Sequence, residues 1–171
     1  MRILIHGLPG ALAVCLALVF SAGVAAETQW RTLDWVELMP AEDLKLLESM
    51  PEIQHEGDGP ITLPDEIMTG RVVPEMDNTP ARIPGFIVPL KTVGDQRIVE
   101  FFLVPYYGAC IHVPPPPPNQ IIHVTYPEGI ELEVLYEPFW IQGPLTISRT
   151  EHDIGTASYA IQAEAVTPYE E

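Results

Sequence analysis

Cysteine is scarce in this chain: two in 171 residues, Cys15 and Cys110. A disulfide framework is therefore excluded as the source of the fold. Basic residues are scarce too, 8 Lys and Arg against 24 Asp and Glu, for a formal net charge of −16. Such a chain repels phosphate backbones and anionic lipid surfaces, which argues against nucleic acid as a partner. Several catalytic signatures are missing: there is no Walker loop, no G-x-G-x-x-G and no H-E-x-x-H. Ser148 and Ser158 lack a G-x-S-x-G elbow, so nucleotide-binding, zincin and α/β-hydrolase chemistries lose their usual carriers. Met39, Met50, Met68 and Met76 are scattered, unlike the clustered thioethers of a cuprous-ion carrier. What is present is 47% apolar and 19% charged, the balance of an ordinary folded domain.

The one long hydrophobic run comes first. Arg2 precedes an apolar stretch from Ala11 to Val24, and Val24-Ala25-Ala26 offers small residues before Glu27. This order reads as an export signal cleaved after Ala26. The run is short for a bilayer span, which takes about 20 residues, so no stable membrane insertion is expected after cleavage. Cys15 sits mid-run after Val14, which does not fit a lipoprotein. Cleavage leaves 145 residues with 7 basic and 24 acidic side chains, one domain of net charge −17. The expected destination is the periplasm, with Cys110 as the single remaining thiol.

Residues 1–26 are thus read as signal, 27–70 as an N-terminal helix and loop, and 71–169 as the main domain. Asp34 to Leu47 has helical spacing, with Pro40 expected to kink or split it and Pro51 to end it. His55 to Gly70 reads as loop. Five segments rich in β-branched and aromatic residues read as strands: Arg82–Leu90, Arg97–Tyr106, Gln120–Tyr126, Phe139–Ser148 and Ser158–Val166. Ile130 to Tyr136 is a further candidate for a short helix or strand. Prolines at 84, 89, 105 and 144 predict edges, bulges or strong curvature. The fold class is mainly β, a small five-stranded OB-like barrel with an N-terminal helix; a β-sandwich ranks second.

The chemistry gathers in Gly108-Ala109-Cys110-Ile111-His112-Val113, followed by five prolines (114–118), Asn119-Gln120 and His123. Five prolines favour a stiff polyproline II rod of roughly 15 Å. Cys110 and His112 are two apart, so an extended chain turns both to one face. Thiolate and imidazole together suit zinc, with copper less favoured. His123 is the weaker third candidate ligand, and Asp, Glu or water would fill a fourth position. Cys-x-His alone is a weak pattern, evenly matched by a buried inert cysteine and a barrel histidine. A reactive Cys-His pair ranks lower, because no resolving cysteine or oxyanion-hole motif accompanies it. His55 and the His152 of Glu151-His152-Asp153 read as solvated acidic loops.

The segments IPGFIVPL, FFLVPYYGACIHVPPPPPNQ, FWIQGPLTIS and SYAIQAEAVTPY resemble the bacterial exported domain-of-unknown-function family 3299 over roughly Arg71 to Tyr169. Its most specific element is Cys-Ile-His-Val-Pro-Pro-Pro-Pro, matched here from Cys110 to Pro117. Pro74 to Pro80 looks longer than the family's usual approach to the first barrel strand. The resemblance brings no established enzymatic activity with it. It also implies a role in periplasmic metal handling, since some members sit beside zinc-responsive ABC-type importers. The expectation is a non-catalytic accessory protein whose partner is an ABC-type metal transporter component or another periplasmic metal carrier. The alternative is a metal-free interaction module in which the Cys-His-Pro stretch only shapes a surface.

Overall fold

The computed structural model describes residues 29–50, 63–94, 97–109, 115–131 and 136–170. The signal segment through Ala26, His55, Cys110, His112 and most of the Ile130–Tyr136 candidate lie outside them. Seven strands form one sheet: β1 (Arg31–Thr32), β2 (Thr79–Val93), β3 (Arg97–Val104), β4 (Ile122–Ile130), β5 (Phe139–His152), β6 (Gly155–Gln162) and β7 (Ala165–Pro168). Their order is β1-β2-β3-β4-β6-β5-β7, and a further β2–β5 pairing closes β2, β3, β4, β6 and β5 into a barrel. This closure is the expected OB-like architecture, and it removes the open edges a sandwich would keep. All barrel pairs are antiparallel except β4–β6.

β2 and β5 are long because each serves twice. β2 pairs with β5 from Thr79 to Gly85 and with β3 from Phe86 to Val93. β5 meets β2 and β7 through its first half and β6 through its second. Pro84 and Pro144 fall next to the points where β2 and β5 change partners, between Gly85 and Phe86 and at Leu145, and Pro89 sits at a register shift against β3, where a missing N–H is tolerated. The expected single strand Ser158–Val166 is instead two. Ala163 N–H donates to Thr125 O and Glu164 N–H to Gln142 O, so the chain leaves β4 and crosses to β5 at this point.

The N-terminal region splits at Pro40 into a 3-10 turn (Trp35–Leu38) and α1 (Ala41–Ser49). Asp34 and Glu37 form a reciprocal cap at the start of the turn, which satisfies donors that a short helix leaves open. Asp65–Met68 forms a second short helix, α2, where loop was expected. Leu33, Trp35 and Leu38 join Ile83, Ile87, Phe101, Leu103, Ile122, Val124, Tyr159 and Ile161 in one core. The arm therefore plugs one end of the barrel. Tyr159 is the bolt: its Oη donates to Leu38 O at 3.0 Å and accepts from Val73 N–H at 2.7 Å. Trp35 Nε1–H donates to Pro84 O at 2.7 Å.

A second apolar cluster lies on the opposite face of β3. It holds Val88, Phe102, Val104, Ala109, Ile121 and Ala157, with Phe86, Leu90 and Ile154 at its margin. Strand alternation accounts for the division: Phe101 and Leu103 face the barrel interior while Phe102 and Val104 face this outer cluster. The run Phe101-Phe102-Leu103-Val104 is fully buried on both sides, which is why it reads as continuous rather than alternating.

Candidate functional site

The outer cluster organises the candidate chemistry. Val88, Phe102, His123 and Ala160 are register partners across β2, β3, β4 and β6, so their side chains share the outer face. His123 stands edge-on to Phe102 with centroids 6.1 Å apart. His152 meets the same ring, also edge-on at 6.1 Å. It reaches there because the β5–β6 hairpin extends past the barrel and lays Ile154 and Ala157 against the outer cluster. This face, with the β5–β6 turn over it, is where OB-folds generally seat ligands.

His123 is half-buried, its side chain 15% exposed, and Nε2 lies 2.8 Å from Glu100 Oε1. Glu100 sits one step along β3 from Phe102 on the same face. An ionised carboxylate only accepts, so the imidazole donates its Nε2–H and keeps Nδ1 as its lone-pair nitrogen when neutral. The sequence reading did not single out Glu100. Its partner is 23 residues away and becomes a neighbour only through the β3–β4 register, which no local pattern announces.

Of the three predicted ligands, only His123 lies among the described residues. Ala109, the residue before Cys110, is fully buried in the cluster that contains Phe102. Among the described residues no three His, Cys, Asp or Glu side chains gather into a metal cage.

The proline run is anchored at its far end. Pro116, Pro117 and Pro118 are buried while Pro115 is exposed, and Pro117 holds polyproline angles, φ −54° and ψ 149°. Pro118 packs against Gly70. Asn119 Nδ2 donates to Arg71 O at 2.7 Å, Gln120 Nε2 to Trp35 O at 2.9 Å, and Ser158 Oγ to Gly70 O at 2.8 Å. Arg71 also pairs with Asp43, whose carboxyl is fully buried. The end of the run is thus bolted to the arm.

Elsewhere, a cleft of about 460 Å³ runs between the arm and Val72–Glu75, with Glu37, Glu42 and Glu75 along it. It includes none of the candidate ligands. On the β2–β5–β7 flank Arg82 lies 4.0 Å over the Trp140 ring, which stacks on Tyr169. Burial holds the Tyr159 phenol above its usual pKa of 10.0, partly offset by the Val73 N–H. Among the described residues no helix is long and apolar enough to cross a membrane.

The family model described as a protein of unknown function, DUF3299, matches residues 35–168. The chain is also similar to a crystal structure of a DUF3299 family protein from Pseudomonas aeruginosa PAO1. The identity is 36%, the TM-score 0.66, and the match covers 84% of this chain and 98% of the other. No curated protein matches the chain.

Proposed function

We propose, for a chain that belongs to the DUF3299 family, the role of a non-catalytic accessory protein handling a transition metal, zinc before copper, after export to the periplasm. The metal is cargo, held by Cys110, His112 and His123. The observation that carries this reading is the burial of Ala109 in the cluster around Phe102. Ala109 directly precedes Cys110 in the chain, and the cluster that buries it lies on the same side of β3 as His123. A thiolate and two imidazoles match zinc in charge and softness. The acidic surface repels anionic competitors and concentrates cations. The fitting partner is a transporter subunit or a second exported carrier that takes the metal on.

Equilibrium dialysis of the signal-free protein against zinc, followed by elemental analysis, tests the reading. One zinc per chain is expected, with weaker binding in Cys110→Ser and His112→Ala. Undiminished binding in both variants removes the proposed site.

One observation favours the second reading, a metal-free interaction module: Pro116–Pro118 are packed into the fold. It predicts no stoichiometric zinc and a specific periplasmic partner recovered by crosslinking.

A further inference from the structure

We infer that Arg82 is the centre of a second binding site, independent of the metal reading, for a small hydroxylated carboxylate such as a sugar acid. The site lies on the outside of the β2–β5–β7 flank. Ala81, Ile83 and Ile141 are fully buried, so strand alternation turns Arg82, Trp140 and Gln142 outward. Register gathers them: Arg82 is paired with Gln142 on β5 and with Thr32 on β1, and Trp140 stands two residues along β5 from Gln142. The guanidinium lies 4.0 Å over the Trp140 ring, which is itself stacked on Tyr169. Arg82 is half-buried, so it stays reachable from solvent while the ring holds it in place before any ligand arrives.

What points to a ligand is the state of this guanidinium. Among the described residues, Arg31, Arg71 and Arg149 each pair with a carboxylate, and Arg97 donates to Gly129 O. Arg82 does neither, and its Nε is buried without an acceptor, in a chain that carries 24 acidic residues. Folded proteins leave few buried polar groups unmatched, and those left over call for a role. A planar guanidinium matches a carboxylate through two parallel N–H donors. Thr32 and Gln142, the neutral side chains flanking Arg82 across the sheet, offer a hydroxyl and an amide to a ligand's own hydroxyls. A net charge of −16 opposes phosphate and other multiply charged anions, so a monoanion is the class that fits.

The test titrates the full chain, kept free of zinc, with glucuronate while ¹H–¹⁵N NMR follows the Arg82 Nε–H and Trp140 Nε1–H resonances. Both are expected to move and to saturate, whereas glucose, which has the hydroxyls but no charge, moves neither. Arg82→Gln is expected to weaken binding about 10- to 100-fold, the loss that follows removal of a charge-assisted hydrogen bond. Arg82→Lys, which keeps the charge but not the planar fork, falls between. Gln142→Ala removes an outward amide and is expected to weaken binding about 2- to 10-fold; it decides the matter if Arg82→Gln does not fold. No saturable shift with glucuronate overturns the inference, as does an equal response to glucose. Inorganic phosphate that binds as tightly as glucuronate overturns the ligand class. Undiminished binding in Arg82→Gln and Gln142→Ala removes the site.

Discussion

Replacing Gly70 by Ala is the sharpest test of how the N-terminal arm is locked to the barrel. Gly70 has φ +69°, and a Cβ there would lie 2.4 Å from Pro118 Cβ and 2.7 Å from Ser158 Oγ. Two costs follow. Holding a residue with a Cβ in the left-handed region costs about 1–2 kcal/mol. Forcing extra volume against a buried proline costs about 1–3 kcal/mol. Together they remove about 2–5 kcal/mol from a domain whose whole stability is of order 5–15 kcal/mol. At about 3 °C per kcal/mol for this size, the melting temperature should fall by roughly 6–15 °C. Gly94 supplies the control. It has φ +53°, but a Cβ there meets nothing within 4 Å, so Gly94→Ala carries the backbone cost alone and should lose only about 3–6 °C. Thermal unfolding followed by circular dichroism, with tryptophan fluorescence reporting Trp35, measures both. Equal losses in the two variants would refute the claim that Pro118 is packed immovably against the arm.

Tyr159→Phe should cost about 1–3 kcal/mol, because it leaves the buried Leu38 carbonyl and the Val73 N–H without their partner; the urea midpoint should drop with the slope unchanged. The same phenol contributes an alkaline slope: its folded pKa is raised above 10.0 by burial, so its contribution to stability is constant below pH 10 and is lost as pH rises past it, where the unfolded phenol ionises more readily than the folded one. Tyr126 is raised as well, first through its hydrogen bond to Glu128, so the effect is read as the part of the alkaline slope that Tyr159→Phe abolishes; an unchanged slope counts against it. Trp35→Phe should lose about 1 kcal/mol through the unpaired Pro84 carbonyl, and a denaturation midpoint equal to that of the unsubstituted protein would show that the indole N–H contributes nothing.

The barrel was legible because its strands carry local signals. Residues 81–88 alternate inward Ala81, Ile83 and Ile87 with outward Arg82, Phe86 and Val88, and Pro40 marks the break in the arm. The full lengths of β2 and β5 were not legible: Pro80 argues locally against a strand that starts at Thr79, and the far ends at Val93 and His152 are set by pairing with β3 and β6. Nor was the break at Ala163–Glu164, where the sequence stays strand-like and the change of hydrogen-bond partner is a tertiary event. The candidate site divides the same way. His123 was visible as an imidazole on a strand, but Glu100 and the approach of His152 to Phe102 depend on register and on a hairpin folding back. Asp43 illustrates the same limit: nothing in an acidic helix start distinguishes the carboxylate that ends fully buried against Arg71 from its exposed neighbour Glu42.

The two-sided burial of β3 has a consequence for how the protein fails. Phe101-Phe102-Leu103-Val104 is the type of short, uncharged, β-prone segment that stacks between chains once uncovered. Glu100 before it and Pro105 after it are the residue types that interrupt such stacking. The barrel shields one side for as long as it stays closed. The other side depends on Ala109 and Ile121, which hold the β3–β4 connection down. If that connection lifts, the apolar outer face of Phe102 and Val104 is uncovered while β3 is still paired with β2 and β4 on both edges, so a sticky side-chain surface is exposed by a local detachment, whereas the strand edges that cross-β stacking needs are freed only when the barrel itself opens.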